Sequence, residues 1–406
     1  MFTEDRGEID SSFNFLLASR ALRSISLILL NLSLSIYLKA LGYGLIFIGV
    51  VYFFIVLFNV MVTLILGILG DRMGYARTMI IAESLPLIAM LGLALSTNMY
   101  IIVISAMVGG ITGSPGGMRG AFSPGMTSYI ASNWPEERER VERLSRIYMV
   151  ASVASIGGSL LLVTHGYISS YYGIVNAFRV LFGISFIITL ASLVSLLFLR
   201  EKRRPRKTTR VMKKESFSYM LRVMIPNMVN SAGTAIAFPL LPLWFELMYR
   251  VSASYVGMIF TVAYAFTAAG SYISGRYLNR SRMSALAVSS WTRVLQGAML
   301  IVIALTPFLP LSVALYSVRS LIAGVGTPMR SAIGVRGISG EDYGTASGIQ
   351  GVFTRSSQLT SGLSGFLMDE AIPMPLITGG VLQLAGAVMF YKFIRSWETS
   401  HGFKGK

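Results

Sequence analysis

Five ionisable residues lie deep inside apolar segments of this 406-residue chain: the acid Glu83 and four arginines, Arg23, Arg293, Arg319 and Arg355. Ionisable groups inside a membrane are costly and usually face a partner or a water-filled cavity. One glutamate cannot neutralise four arginines, so a bound anion is a natural source of negative charge. The planar guanidinium of arginine suits a carboxylate or a phosphate. These residues therefore predict a site for a small, anionic molecule.

Two roles stay open for each of these residues. Arg23, Arg319 and Arg355 either bind the anionic substrate or pair with backbone carbonyls and helix C-terminal dipoles. Glu83 either pairs with a nearby arginine or takes up and releases a proton. Other arginines lie nearer the ends of the apolar segments, where long side chains can extend to the interface. These are Arg20, Arg119 and Arg179.

Polar residues at helical spacing form faces within several of the same segments. Such faces are typical of helices that line a cavity or contact another helix. Interhelical hydrogen bonding is the alternative to substrate binding for each of them. Besides the arginines, the residues of these faces that we predict to bind substrate are Asn31, Asn227, Asn230 and Gln358.

The elements that position these residues are membrane-spanning helices. Hydrophobic residues make up 54% of the chain and charged residues 13%, against roughly 25% charged residues in soluble domains. The apolar segments have about the length, roughly 20 residues, that crosses a bilayer core. We predict an all-α polytopic membrane protein with twelve transmembrane helices. The spans lie at about 13–38, 45–66, 77–97, 99–121, 146–164, 174–199, 220–245, 254–274, 283–305, 311–333, 344–368 and 374–394.

The basic residues predict the orientation of these spans. With the N-terminus inside, the outer connections carry Lys39 and Arg250, and most of the 35 lysines and arginines fall in inner segments. We therefore expect a multi-pass protein of the cell membrane, surrounded by lipid, with both termini in the cytoplasm. A basic linker at 200–219 separates an N-terminal six-helix bundle, 1–199, from a C-terminal one, 220–406.

The two predicted bundles carry similar sequences at equivalent places. Residues 113–121 read GSPGGMRGA and residues 324–332 read GVGTPMRSA, each at the inner end of the fourth span of its half. Internal repeats of this kind are typical of transporters whose halves tilt about a site between them. The chain is thus expected to consist of two pseudo-symmetric halves.

The segment 67–77, between the second and third predicted spans, reads GILGDRMGYAR. In this loop the sequence resembles the major facilitator superfamily, whose motif is Gly-x-x-x-Asp-Arg-x-Gly followed by basic residues. Gly67, Asp71, Arg72 and Gly74 match. The positions of the usual basic pair hold Tyr75 and Ala76, and Arg77 comes next. Span count, loop polarity and the repeat extend the resemblance to the whole chain. It implies two six-helix bundles and rocker-switch alternating access.

The resemblance also implies a conformational latch in this loop. Asp71 would lie against the start of the eleventh helix, near Gly344, where the helix dipole favours a carboxylate. Arg119 is our candidate countercharge for Asp71. The alternative is that Asp71 and Arg72 are loop charges that only set the topology.

These features predict a secondary active transporter that moves a small, anionic solute by alternating access, with a proton as the coupling ion. A drug/proton antiporter that exports hydrophobic compounds and a non-transporting membrane receptor on the same fold are the alternatives. The sequence has no nucleotide-binding loop of the Walker type, and it shows no constellation typical of an enzyme.

Composition limits the partners of the predicted transporter. With no cysteine and two histidines, we expect no metal and no cofactor. The net charge of +17 is concentrated in the inner loops and is not accompanied by a folded soluble module, so we expect no nucleic acid. We expect a monomer.

Overall fold

A computed structural model of the protein describes residues 2–110, 122–134, 137–201, 213–277, 284–335, 338 and 343–400. The regular elements in these ranges are all helical, which confirms the predicted all-α class. They are α1 (Phe2–Ala40), α2 (Leu45–Met73), α3 (Tyr75–Leu95), α4 (Met99–Gly109), α5 (Phe122–Asn133), α6 (Glu137–Val163), α7 (His165–Tyr172), α8 (Ile174–Leu197), α9 (Lys214–Ala237), α10 (Leu241–Tyr249), α11 (Ala253–Tyr277), α12 (Ala285–Leu305), α13 (Leu309–Val335), α14 (Tyr343–Ser356), α15 (Leu363–Glu370) and α16 (Met374–Ser400).

Nine helical stretches in the described ranges are long and apolar enough to cross a membrane. They are formed by α1, α2, α3, α6 with α7, α8, α11, α12, α13 and α16. A tenth is obtained if α9 and α10, which meet at an angle of 43°, form one broken span. The bend has a local cause, because Pro239 lies in the break and Pro242 in the first turn of α10.

The other two predicted spans do not form a single long helix in the part of the chain that the structure describes. The fourth is represented by α4, which has 11 residues and ends at Gly109. The eleventh is divided into α14, a 3₁₀ segment at Ser357–Gly362, and α15. The structure thus supports nine or ten spans, and the count of twelve stays a prediction.

The helices form two compact units, residues 1–208 with 251–261 and residues 209–250 with 262–406. In the first unit α1 packs against α6 and α8, and α3 packs against α8. In the second unit α16 packs against both α9 and α12. The core of each unit is therefore built around one helix that neighbouring helices cover on two sides.

Glycines permit the close packing of α16. A Cβ atom added to Gly233 of α9 would lie 2.6 Å from the carbonyl oxygen of Gly379, and one added to Gly297 of α12 would lie 3.0 Å from that of Gly380. Small residues at helix contacts let the backbones approach closely inside a membrane. This packing fixes the helices that carry the polar groups of the second unit.

Candidate functional site

Glu83 of α3 forms a buried ion pair with Arg23 of α1. Arg23 Nη1 donates to Glu83 Oε2, and the two side chains are 5% and 0% exposed. The guanidinium of Arg23 also lies 4.7 Å from the centroid of the Phe122 ring. Attraction between two buried charges offsets their desolvation only when further hydrogen bonds satisfy both groups. This geometry gives Glu83 an arginine partner, and its role in proton coupling stays a prediction.

The second carboxylate oxygen of Glu83 contacts α8. Ser192 Oγ donates to Glu83 Oε1 across 2.7 Å. The same Ser192 Oγ lies 3.1 Å from the carbonyl oxygen of Ser19 and 2.9 Å from Ser19 Oγ, on α1. All three side chains are fully buried. The Ser192 hydroxyl thus contacts the carboxylate directly, and Ser19 of α1 contacts Ser192 in turn.

Two arginines that we expected near the interface have different surroundings. Arg20 is 1% exposed, so the prediction that its side chain extends to the interface is wrong. The cause is the length of α1, which begins at Phe2 and places residue 20 in its middle. Arg179 donates to the carbonyl oxygens of Ala94 and Leu95, and so pairs with the C-terminus of α3. Arg119 lies outside the described residues.

A small cleft in the first unit reaches Arg23. Its wall includes Asn59 of α2, Pro86 of α3 and Gly110, which follows α4. Asn59 Nδ2 donates to the carbonyl oxygen of Gly110 across 3.0 Å. The described part of this unit therefore offers an opening on the arginine side of the ion pair.

In the second unit, Asn227 and Arg293 form a hydrogen bond between α9 and α12. Arg293 Nη2 donates to Asn227 Oδ1 across 2.5 Å, and its guanidinium lies 4.1 Å from the centroid of the Phe390 ring. Asn230, one turn along α9, is half-buried. The polar face predicted from the spacing of Asn227 and Asn230 thus contributes one residue to an interhelical hydrogen bond.

Arg319 of α13 is buried among neutral partners. Its Nε donates to the carbonyl oxygen of Gln296, its Nη2 donates to Gln383 Oε1, both across 3.1 Å, and the guanidinium lies 4.6 Å from the centroid of the Phe238 ring. The amide nitrogens of Gln296 and Gln383 are buried and have no hydrogen-bond partner among the described residues. The surroundings of Arg319 are therefore rich in donors and contain no described carboxylate.

The other residues that we predicted to bind substrate lie in both units. Arg355 is half-buried at the end of α14, and Gln358 is buried in the 3₁₀ segment that follows. Asn31 of α1 is half-buried, and its Oδ1 has no hydrogen-bond partner among the described residues. The structure does not bring these residues together within one unit.

The loop that carries the family-like motif joins α2 to α3 through Gly74, whose φ is 94°. This positive φ favours glycine. Gly67 faces open space, and Arg72 and Arg77 are exposed. The side chain of Asp71 and the whole of Arg119 lie outside what the structure describes. The latch between Asp71, Arg119 and the start of the eleventh helix therefore stays a prediction.

Sequence reasoning missed Glu201, which contacts the same loop. Glu201 Oε2 accepts a hydrogen bond from the backbone N–H of Ala76 in the first turn of α3, across 2.9 Å. A carboxylate at a helix N-terminus is favoured by the helix dipole. The available signal was an acid among the basic residues at the start of the linker. The sequence analysis also missed three residues that contact the buried ions, although each is a polar residue in an apolar segment: Gln296, Gln383 and Ser192.

Comparisons with solved structures show which fold these helices form. The POT family transporter PepTSo is 10% identical, with a TM-score of 0.74 over 96% of this chain and 98% of that chain. A structure on substrate recognition in proton dependent oligopeptide transporters is 11% identical, with a TM-score of 0.70 over 95% and 99%. The human organic anion transporter MFSD10 is 15% identical, with a TM-score of 0.66 over 95% and 99%. At these identities the likeness shows the fold alone.

Sequence comparison identifies the family. None of the curated proteins matches this chain significantly. The family model described as Major Facilitator Superfamily matches residues 16–362, which is most of the chain. This match confirms the resemblance that the loop at 67–77 indicated. The chain belongs to the Major Facilitator Superfamily.

Proposed function

We propose that this protein is a secondary active transporter that moves a small, anionic solute across the cell membrane, coupled to protons, by rocker-switch alternating access. The observation that carries the proposal is the imbalance of buried charge. Among the described residues, Glu83 is the one acid that is buried as a whole residue, whereas four arginines are buried: Arg20, Arg23, Arg293 and Arg319. Buried charge of one sign favours the binding of a ligand of the opposite sign.

Arg319 is the strongest candidate for the residue that binds the anion. The groups that the structure places around it are a backbone carbonyl, an amide oxygen and an aromatic ring, all neutral. The buried amide nitrogens of Gln296 and Gln383 add donors that a carboxylate or phosphate oxygen would accept from. Arg23 and Arg355, with Asn31, Asn227, Asn230 and Gln358, remain the further proposed contacts.

Glu83 is the proposed proton carrier. While ionised, it holds Arg23 in the buried ion pair. Protonation removes the negative charge and with it most of the attraction that holds the guanidinium. Arg23, which lines the cleft in the first unit, then becomes available to a substrate anion. Proton uptake and anion binding are thereby coupled through one ion pair.

Twelve spans, cytoplasmic termini and the latch at Asp71 complete the proposed mechanism. The neighbours are consistent with it: one is described as an organic anion transporter, and another belongs to work on proton dependent oligopeptide transporters. Two bundles that tilt alternately would expose the site to either side of the membrane. The latch is supported by the glycines of the loop that match the family motif, Gly67 and Gly74.

The test begins with a thermal-shift panel of carboxylates, phosphates, sugars and hydrophobic cations on the purified protein, since a bound ligand raises apparent stability. We expect anions to raise the melting temperature of the wild type and to lose this effect in Arg319→Gln. Arg395→Gln is the control, because Arg395 is an exposed arginine of the same unit that donates to Tyr391.

The anion that gives the largest shift is then used for flux measurements in liposomes. We expect an imposed pH gradient to drive its accumulation by the wild type. Glu83→Gln should lose gradient-driven accumulation and keep the exchange of labelled for unlabelled anion. Stabilisation by hydrophobic cations instead would favour the drug antiporter, and binding without flux would favour the receptor. Gradient-driven accumulation in Glu83→Gln would refute the coupling role.

A further inference from the structure

We propose that Ser192 is a positioning residue that holds the Glu83 carboxyl group in both of its protonation states by reorienting a single hydroxyl. This inference rests on the proposed proton-coupling role of Glu83. It follows from the position of Ser192 Oγ, which lies within hydrogen-bond distance of Glu83 Oε1 on one side and of the Ser19 carbonyl oxygen on the other.

A serine hydroxyl has one proton to donate and two lone pairs that accept. Ser192 therefore donates either to Glu83 Oε1, at 2.7 Å, or to the carbonyl oxygen of Ser19, at 3.1 Å. The Ser19 hydroxyl, at 2.9 Å, is close enough to donate to Ser192 Oγ in either case. Two complete hydrogen-bond patterns are thus available without moving any heavy atom.

Each pattern suits one protonation state of Glu83. When Glu83 is ionised, both of its oxygens accept, and Ser192 donates to Oε1 in a charge-assisted bond. When Glu83 has bound a proton from solution, its O–H donates to Ser192 Oγ, and the Ser192 proton turns to the Ser19 carbonyl oxygen. The buried carboxyl group keeps a partner in both states, which avoids the cost of an unsatisfied buried polar group.

Two arginines of α1 act on Glu83 in the described structure. Arg23 contacts it directly, and Arg20 also interacts with it electrostatically. The group of α8 that hydrogen-bonds to the Glu83 carboxyl group is the neutral Ser192 hydroxyl. Ser192 is therefore the contact that can respond to protonation by reorienting.

A second hydroxyl pair between α1 and α8 provides a matched control. Ser26 Oγ and Thr189 Oγ1 lie 2.6 Å apart, and both also contact the carbonyl oxygen of Ser185. This pair joins the same two helices, with Ser26 two turns from Ser19 on α1 and Thr189 about one turn from Ser192 on α8. None of its described contacts is a carboxylate. A purely structural role for hydroxyl contacts between α1 and α8 predicts similar effects from both pairs.

The experiment is an infrared pH titration of the purified full-length protein, without substrate. The carboxylic-acid band of Glu83 is the band that the wild type has and Glu83→Gln lacks. In Ser192→Ala we expect the pH of half-maximal intensity to rise by about one unit, because the ionised form loses a charge-assisted hydrogen bond whereas the protonated form loses a weaker, neutral one. The C=O frequency of the band should change as well, because the protonated form loses its acceptor.

Three further variants make the result specific. Ser192→Thr keeps the hydroxyl and should titrate like the wild type, and Ser26→Ala should leave the Glu83 band unchanged. Ser192→Cys keeps the volume with a weaker donor and should give a smaller shift in the same direction, so the result does not depend on the folding of the alanine variant. The inference would be overturned if Ser192→Ala and Ser192→Cys both titrated like the wild type. It would also be overturned if Ser192→Ala and Ser26→Ala shifted the titration of the Glu83 band equally. Absence of any titrating Glu83 band would instead refute the proton-coupling proposal itself, and this inference with it.

Discussion

At the scale of single residues, two ion pairs between described side chains of the first unit differ in their exposure to water. Arg23 and Glu83 are buried, whereas Arg146 and Glu142 form an exposed pair one turn apart on α6. Removing one partner of a buried pair leaves an uncompensated charge at a cost of about 3–5 kcal/mol. An exposed pair contributes about 0–1 kcal/mol, because water screens both charges.

We therefore expect Glu83→Leu to lower the free energy of unfolding by about 3–5 kcal/mol, measured by denaturant unfolding in detergent. The matched control Glu142→Leu should lower it by less than about 1 kcal/mol. Adding Arg23→Met to Glu83→Leu should recover much of the loss, because no buried charge is then left without its counterion. A double variant less stable than Glu83→Leu alone would show that the charges do not act as a pair.

The sequence indicated which residues are chemically unusual at this scale, and the structure was needed to show their partners. Arg23 and Glu83 stand out as ions in apolar segments, but spacing along one helix does not determine which helix faces it. Ser192 belongs to a row with Ser185 and Thr189 on one face of α8, a signal that is visible in the sequence. Its contact with Glu83 depends on the packing of α1, α3 and α8 and could not be derived from any one of them.

At the scale of the elements, glycines determine how closely α9, α12 and α16 pack in the second unit. We expect Gly233→Ala to destabilise the protein by about 1–3 kcal/mol, as overpacking of a close contact does. The added Cβ would lie 2.6 Å from the carbonyl oxygen of Gly379 and 2.9 Å from Cβ of Leu382. The measurement is the thermal unfolding midpoint of the purified protein.

Gly183 in α8 is the matched control, because a Cβ added there meets no atom within 4 Å. Gly183→Ala should be neutral or slightly stabilising, since alanine favours helix more than glycine does. Equal losses in Gly183→Ala and Gly233→Ala would show that the close packing of α9 against α16 is not the cause.

Most of the predicted spans coincide with long helices. A segment of about twenty apolar residues in lipid must pair its backbone N–H and C=O groups within itself, and a helix does this. The interruptions were harder to predict. Pro239 explains the break before α10, but the 3₁₀ segment at Ser357–Gly362 follows no proline or comparable local signal. The N-terminal extension of α1 to Phe2 was also missed, because its first residues are charged and carry no apolar pattern.

At the scale of the whole molecule, the sequence predicted an all-helical chain with the fold of the Major Facilitator Superfamily, and both are found. The repeat and the motif loop supported this prediction, because the repeat indicates two similar halves and the loop resembles the motif of the family. Substrate identity depends on a few side chains, and local sequence patterns do not show which of them act together. Orientation in the membrane depends on loop charge and can be tested directly.

The natural absence of cysteine makes the orientation testable without first removing native thiols. Single substitutions are made at four exposed positions, Ala40→Cys and Arg250→Cys in predicted outer connections, and Arg72→Cys and Lys213→Cys in predicted inner ones. A membrane-impermeant maleimide added to intact cells should label the first two and leave the other two unlabelled. All four should react after permeabilisation. Because each crossing reverses the side of the next loop, labelling of both Ala40→Cys and Lys213→Cys in intact cells would mean that an even number of spans separates them, instead of the predicted five. The positive-inside assignment and the proposed pair of six-helix bundles would then both be wrong.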